Sequence, residues 1–225
     1  MGNYVTQDDL ELVTNGATRV PVVLCLDVSG SMSPCINDLN EGVAAFYDAI
    51  RSDPTAREAC EIAIVTFNSS VEVAEDFQSV QHKQNPTFTA YGGTDMTGGI
   101  QKALELLETR KQKYKDTGTD YFQPWLVIMS DGEPNDINSV RTLQEKTKKM
   151  EEDKKLVVFG IFIGNDSGKE TLAGFSKRGA MSLKGTNFVE FFQWLGRSVS
   201  IVGKSQKDEA VSLDQDVGGW LKIGL

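Results

Sequence analysis

The sequence is poor in the residues that nucleophilic enzymes, zinc proteins and secreted scaffolds depend on. It holds one histidine, His82, and three cysteines, Cys25, Cys35 and Cys60. His82 sits in an irregular polar stretch with no cysteine or second histidine to join it, so it reads as a surface residue and not as a catalytic base. An odd cysteine count without CxxC or Cys/His spacing fits reduced structural thiols better than a disulfide frame or a zinc site. No stretch approaches the roughly 18 consecutive apolar residues of a spanning helix. The amino terminus lacks the basic-then-apolar pattern of a signal peptide. The expected location is therefore the cytoplasm, away from membranes. Positive charge is also scarce. Lys and Arg total 23 against 32 Asp and Glu, giving a net charge of −9 and a pI near 4.7. That balance argues against nucleic acid or an anionic lipid surface as the partner. No GxGxxG opens a helix after a strand, which removes a dinucleotide enzyme, and no internal repeat is present.

What the chain does have is an almost unbroken apolar run that stops at an acid. Val20-Pro21-Val22-Val23-Leu24-Cys25-Leu26 leads into Asp27-Val28-Ser29-Gly30-Ser31. Such a run predicts a strand buried on both faces, as in the middle of a parallel sheet. Open α/β sheets place their ligands at the carboxyl ends of such strands. Pro124 to Ser130 repeats the theme, another buried strand ending in Asp131-Gly132. Helical spacing of apolar residues predicts helices at about 36–51, 97–110 and 187–202, and a charged, mostly solvated helix begins near Asp136. Strands are predicted at 62–67, 156–163 and, briefly, 181–183. Asn68-Ser69-Ser70 turns the chain into an alternating strand at 71–75, an antiparallel hairpin edge.

Alternating strands and helices predict one α/β domain: a doubly wound, mostly parallel, Rossmann-like sheet of six strands with one antiparallel edge and helices on both faces. The 225 residues divide into a polar lead-in (1–18), this domain (19–202) and a polar, glycine-bearing tail (203–225). The stretch from Lys111 to Gln123 reads as a surface loop or helix extension.

All parallel strands in such a sheet point their carboxyl ends to one side. Asp27, Ser29 and Ser31 therefore share a rim with Asp131, and Gly92-Gly93-Thr94-Asp95 can reach it from the loop before the second predicted helix. Two acids and three hydroxyls make a sparse oxygen site suited to a hard cation such as Mg²⁺. Few anionic ligands leave the ion electrophilic, which suits capture of an outside carboxylate better than activation of water. Asp95 reads as a cap or as support for the site, and Glu133 as a rim residue.

Asp27-Val28-Ser29-Gly30-Ser31, Thr94 and Ser130-Asp131-Gly132 together resemble the metal-ion-dependent adhesion site of von Willebrand factor type A domains, and the likeness runs from about residue 19 to 202. The resemblance implies a non-enzymatic protein-binding module. Asp27, Ser29, Ser31, Thr94 and Asp131 would hold Mg²⁺ (or Mn²⁺ or Ca²⁺), and a partner protein would supply a Glu or Asp to the open position. Asp131-Gly132-Glu133-Pro134-Asn135-Asp136 and Arg51-Ser52-Asp53-Pro54 further resemble bacterial proteins of tellurium-resistance-type stress operons. That likeness implies a cytoplasmic scaffold associated with a protein phosphatase or kinase. The competing reading is a Mg²⁺-dependent phosphotransferase or phosphatase with Asp27 as nucleophile. Aspartyl-phosphate enzymes usually carry a second acid two residues on, where this chain has Ser29.

Overall fold

The structure is a computed structural model that describes residues 7–82, 84–131, 134, 136–164, 168–183, 187–205 and 221–222. In chain order the elements are α1 (Gln7–Thr14), β1 (Val20–Asp27), α2 (Ile36–Ser52), α3 (Pro54–Ala59), β2 (Cys60–Phe67), β3 (Val71–Ser79), α4 (Met96–Thr117), β4 (Trp125–Ser130), α5 (Ile137–Glu152), β5 (Val157–Phe162), α6 (Lys169–Ala173), β6 (Ala180–Leu183), α7 (Phe188–Lys204) and β7 (Leu221–Lys222). The strands form one sheet in the order β3-β2-β1-β4-β5-β6-β7. β1 pairs in parallel with both β2 and β4, which makes it the central strand.

Its apolar run explains that position. Every residue of β1 is buried, because helices cover both faces of the sheet. Val20, Val22, Leu24 and Leu26 pack with α2, α3 and α7 on one face. Val23 and Cys25 pack with α4 and α5 on the other. Burial of each such side chain contributes about 1.5–3 kcal/mol, so a polar residue inside this run would be costly. The run ends at Asp27, where the strand leaves the layers.

The six predicted strands and the antiparallel β3 edge are present. The sequence under-read several elements. The lead-in contains the helix α1, whose Leu12 is buried; it has too few apolar residues to show a periodic signal. Asp53-Pro54, expected only to stop α2, also starts α3: Pro54 stands in its first turn, and the Asp53 side chain accepts from the Ala56 N–H at 2.8 Å. Helix α4 runs on to Thr117, well past Arg110. Its inner stripe of Ile100, Ala103, Leu104 and Leu107 continues through Arg110, Lys111 and Tyr114, all buried. Two of these are charged, so a hydropathy reading ends the helix early. From the tail, Leu221–Lys222 adds a short antiparallel strand beside β6. The three cysteines are buried and form no disulfide, and among the described residues no helix is long and apolar enough to cross a membrane.

The sheet changes winding direction at β1: the chain proceeds from β1 to β2 on one side and reaches β4 on the other. The crevice outside the carboxyl ends of β1 and β4 is therefore the topological switch point, where sheets of this kind take ligands.

Candidate metal centre

Strand register builds the site first. Leu26 of β1 stands opposite Met129 of β4, so Asp27 and Ser130 emerge side by side at the switch point. The Ser130 hydroxyl donates to Asp27 Oδ2 at 2.5 Å, and the Ser29 backbone N–H donates to Asp27 Oδ1 at 2.8 Å. The second bond folds the chain back on the strand end and orients the next hydroxyls. Ser29 Oγ and Ser31 Oγ lie 3.0 Å apart. Ser29 is buried and Ser31 is exposed, at the start of a short 3₁₀ turn, Gly30–Met32.

The loop carrying Thr94 is fixed against this turn from two sides. The Tyr91 N–H donates to the Val28 carbonyl at 2.9 Å, and the Gly30 N–H donates to the Gly92 carbonyl at 3.0 Å. From the hairpin side, the Ser69 hydroxyl accepts from the Gly93 N–H at 2.7 Å. The Asp95 N–H donates to the Asn68 carbonyl at 2.6 Å. Thr94, held between these anchors, is buried. Two glycines allow the approach. Gly92 has φ +77, and a Cβ there would lie 2.7 Å from Ser69 Oγ; a Cβ on Gly30 would meet the Gly92 carbonyl oxygen at 3.3 Å.

Asp95 is the N-cap of α4, its carboxylate accepting from the Gly98 N–H at 2.9 Å. Asp131 follows β4 at the rim, partly exposed, and its charge acts on Asp27. Gly132, Glu133 and Asn135 lie outside the described residues, as does the side chain of His82. The sequence reading did not single out Ser130 as a partner of Asp27. Nor did it give Asn68 and Ser69 any role beyond a hairpin turn. An alternation count along β4 would have hinted at Ser130, the last residue of that strand.

The electrostatics of Asp27 test whether a cation fits. The side chain is fully buried. Burial raises its pKa above the ordinary carboxylate value; the hydrogen bonds from Ser130 and Ser29 pull it down, and the Asp131 charge pushes it up again. The neighbours that shift it are two serines and an acid, none of them basic. A buried carboxylate beside another carboxylate costs free energy unless a positive charge arrives. A divalent ion held by Asp27, Ser29, Ser31, Thr94 and Asp131 would supply that charge, and every donor in the set is an oxygen, as hard cations require. Cys35 adds no soft ligand: burial first, then the charges of Asp38, Asp131 and Asp27, push its thiol up to about 11, so it is protonated at neutral pH. Among the described residues no three His, Cys, Asp or Glu side chains cluster as a metal group, and the donor set at the rim is mostly hydroxyl.

A doubly wound sheet carrying an acid-and-hydroxyl rim at its switch point defines the class: an α/β domain with an oxygen-rich rim at the carboxyl ends of its central strands. The chain belongs to the von Willebrand factor type A domain family, a family of protein-interaction modules; the family profile matches residues 22–193. No curated protein matches it at the level of sequence. Solved structures share the fold. The pilus adhesin SpaC from Lactobacillus rhamnosus GG superposes with a TM-score of 0.64 at 12% identity, over 82% of this chain and 30% of that one. The von Willebrand factor domain of a type V pilus tip protein from Porphyromonas gingivalis gives 0.60 at 11% identity, over 86% and 99%. Proximal thread matrix protein 1 from the mussel byssus, solved with a zinc-occupied adhesion-site motif, gives 0.54 at 16% identity, over 82% and 48%. The chain thus spans about half the length of the mussel protein.

Proposed function

We propose that the rim is a divalent-metal-dependent protein-binding site. Asp27, Ser29, Ser31, Thr94 and Asp131 hold Mg²⁺, or Mn²⁺ or Ca²⁺, and a Glu or Asp of a partner protein completes the coordination. The observation that carries this reading is the Asp27 carboxylate, wholly buried beside the Ser29 and Ser130 hydroxyls and the Asp131 charge, with no basic group among the described residues acting on it. The zinc-occupied motif of the mussel relative supports metal dependence. Binding needs no chemistry at the metal, so the domain acts as a scaffold and not as an enzyme. The resemblance of the short strings around Asp131 and Arg51 to tellurium-resistance-type proteins supports reading the scaffold as a cytoplasmic bacterial one, in a stress-response or signalling system, with a protein phosphatase or kinase as its partner.

The phosphotransferase alternative calls for a second acid two residues on from Asp27 to act as general acid, and that position is Ser29. The test is a pull-down from source-cell lysate with wild type and Asp27→Ala, each with Mg²⁺ and with a chelator. A partner retained only by wild type with metal is the expected result. A partner indifferent to both changes would move the interface off the rim, and Asp27-dependent phosphate release would replace the scaffold by an enzyme.

A further inference from the structure

At the opposite end of the molecule, far along α4 from its cap at Asp95, a second surface carries charge of the unexpected sign. A groove of about 530 Å³ opens between the carboxyl-terminal halves of α4 and α5. Leu104, Met150 and Tyr121 supply its apolar surface, and Lys111, Lys115, Lys146 and Lys155 surround it with Glu108 as the one acid. Lys111 is committed to Glu108 at 2.5 Å, and Lys155 to Asp153 at 3.0 Å. Lys115 and Lys146 are exposed and, among the described residues, have no ion-pair partner. In a chain of net charge −9, two lysines without a counter-ion beside one apolar trough form a local charge opposite to the whole.

We infer that this groove docks an acidic peptide segment of a partner protein, with aliphatic side chains on Leu104, Met150 and Tyr121 and carboxylates on Lys115 and Lys146. Charge complementarity selects the occupant. An acidic strand meets attraction here and repulsion over most of the remaining surface, which steers it to one place. The apolar trough selects amphipathic acids over simple anions, because a bare phosphate leaves the partly exposed Met150 and Tyr121 in water. The volume lies in the range that takes a small ligand or a few side chains of a peptide. This site does not depend on the metal reading, since no residue of the rim lines it.

The experiment is fluorescence anisotropy with a fluorescein-labelled acidic peptide, EDLEELDE, in chelator at low ionic strength. Three comparisons accompany it: the serine analogue EDSEESDE, inorganic polyphosphate as competitor, and vesicles of anionic phospholipid. Saturable binding to wild type and to Asp27→Asn is expected. It should weaken at least about tenfold in Lys115→Glu/Lys146→Glu, by like-charge juxtaposition, and about tenfold for the serine analogue through the lost apolar contact. Both lysines are exposed, and a Lys115→Gln/Lys146→Gln variant gives an intermediate loss without charge reversal; circular dichroism confirms that each variant is folded. Absence of saturable binding, equal binding by the double variant, or equal binding of the serine analogue would overturn the inference. So would tighter binding of polyphosphate or vesicles through the same lysines.

Discussion

Two buried carboxylates stand at opposite ends of the same sheet, and their surroundings differ in one respect. Glu61, near the start of β2, is answered by cations from the chain itself. Arg110 reaches both its oxygens at 2.8 Å, Arg19 Nε lies 3.8 Å away, and the Tyr114 hydroxyl donates a short hydrogen bond. The Arg19 guanidinium is further tied to backbone carbonyls, at 2.6 Å to Glu58 and 3.3 Å to Glu11. Asp27, at the end of β1, is answered among the described residues by hydroxyls and a backbone N–H. The first arrangement closes the domain's lower end, joining α1, β2 and α4. The second leaves a buried acid without a cation among the described residues. Where the chain neutralises its own buried acid, the acid serves the fold; the proposed metal role of Asp27 rests on the contrast.

The comparison can be broken most forcefully at Glu61. Glu61→Ala strands two buried guanidinium groups, and removing one partner of a buried pair costs about 3–5 kcal/mol. Urea denaturation should show a loss of that size, with or without Mg²⁺. Asp27→Asn should do the reverse. Unfolding without metal should change little or become slightly harder. The stabilisation that wild type gains from Mg²⁺, about 2.7 kcal/mol at a hundredfold excess over Kd, should vanish in the same assay. Equal destabilisation by both substitutions would erase the distinction between the two acids.

Acidification sharpens the contrast further. Burial, foremost, holds the Asp27 pKa above the ordinary carboxylate value, so the folded state binds this proton more tightly than the unfolded chain does. Its contribution to stability is complete below the unfolded pKa of about 4 and is lost as pH rises through the folded value. Metal-free wild type should therefore gain stability relative to Asp27→Asn as pH falls across that window. Its Mg²⁺ affinity, measured by calorimetry, should fall over the same window, because proton and metal compete for one carboxylate. The smallest expected effect is at Asp95. Asp95→Ala removes the α4 cap and should cost about 1 kcal/mol of stability, with a weaker effect on Mg²⁺ affinity than Asp27→Asn has.

How much of this was legible depends on which physical signal each residue carried. The central strand was legible because Val20 to Leu26 is buried on both faces, and only a run without alternation satisfies both. The rim residues Asp27, Ser29, Ser31 and Asp131 were legible because acids and spaced hydroxyls at strand ends have no place in a core. The buried ion cluster was invisible. Arg19, Glu61 and the Arg110–Tyr114 pair of α4 are far apart in the chain, and each looks like an ordinary surface residue until β2 and α4 bring them together. The same blindness hid the lower half of α4, where Arg110 and Lys111 occupy inner positions that hydropathy assigns to solvent. The lysine groove was hidden too, because it forms between two helices whose charges read separately as solvated faces.

The sequence by itself determined the layered α/β fold and the strand ends that carry the site, because burial and termination are local properties of composition and spacing. Only the tertiary structure decided which buried acid would be neutralised within the chain. That outcome depends on distances between elements that no linear pattern encodes: Arg110 of α4 reaches Glu61 of β2, and among the described residues no arginine or lysine does the same for Asp27.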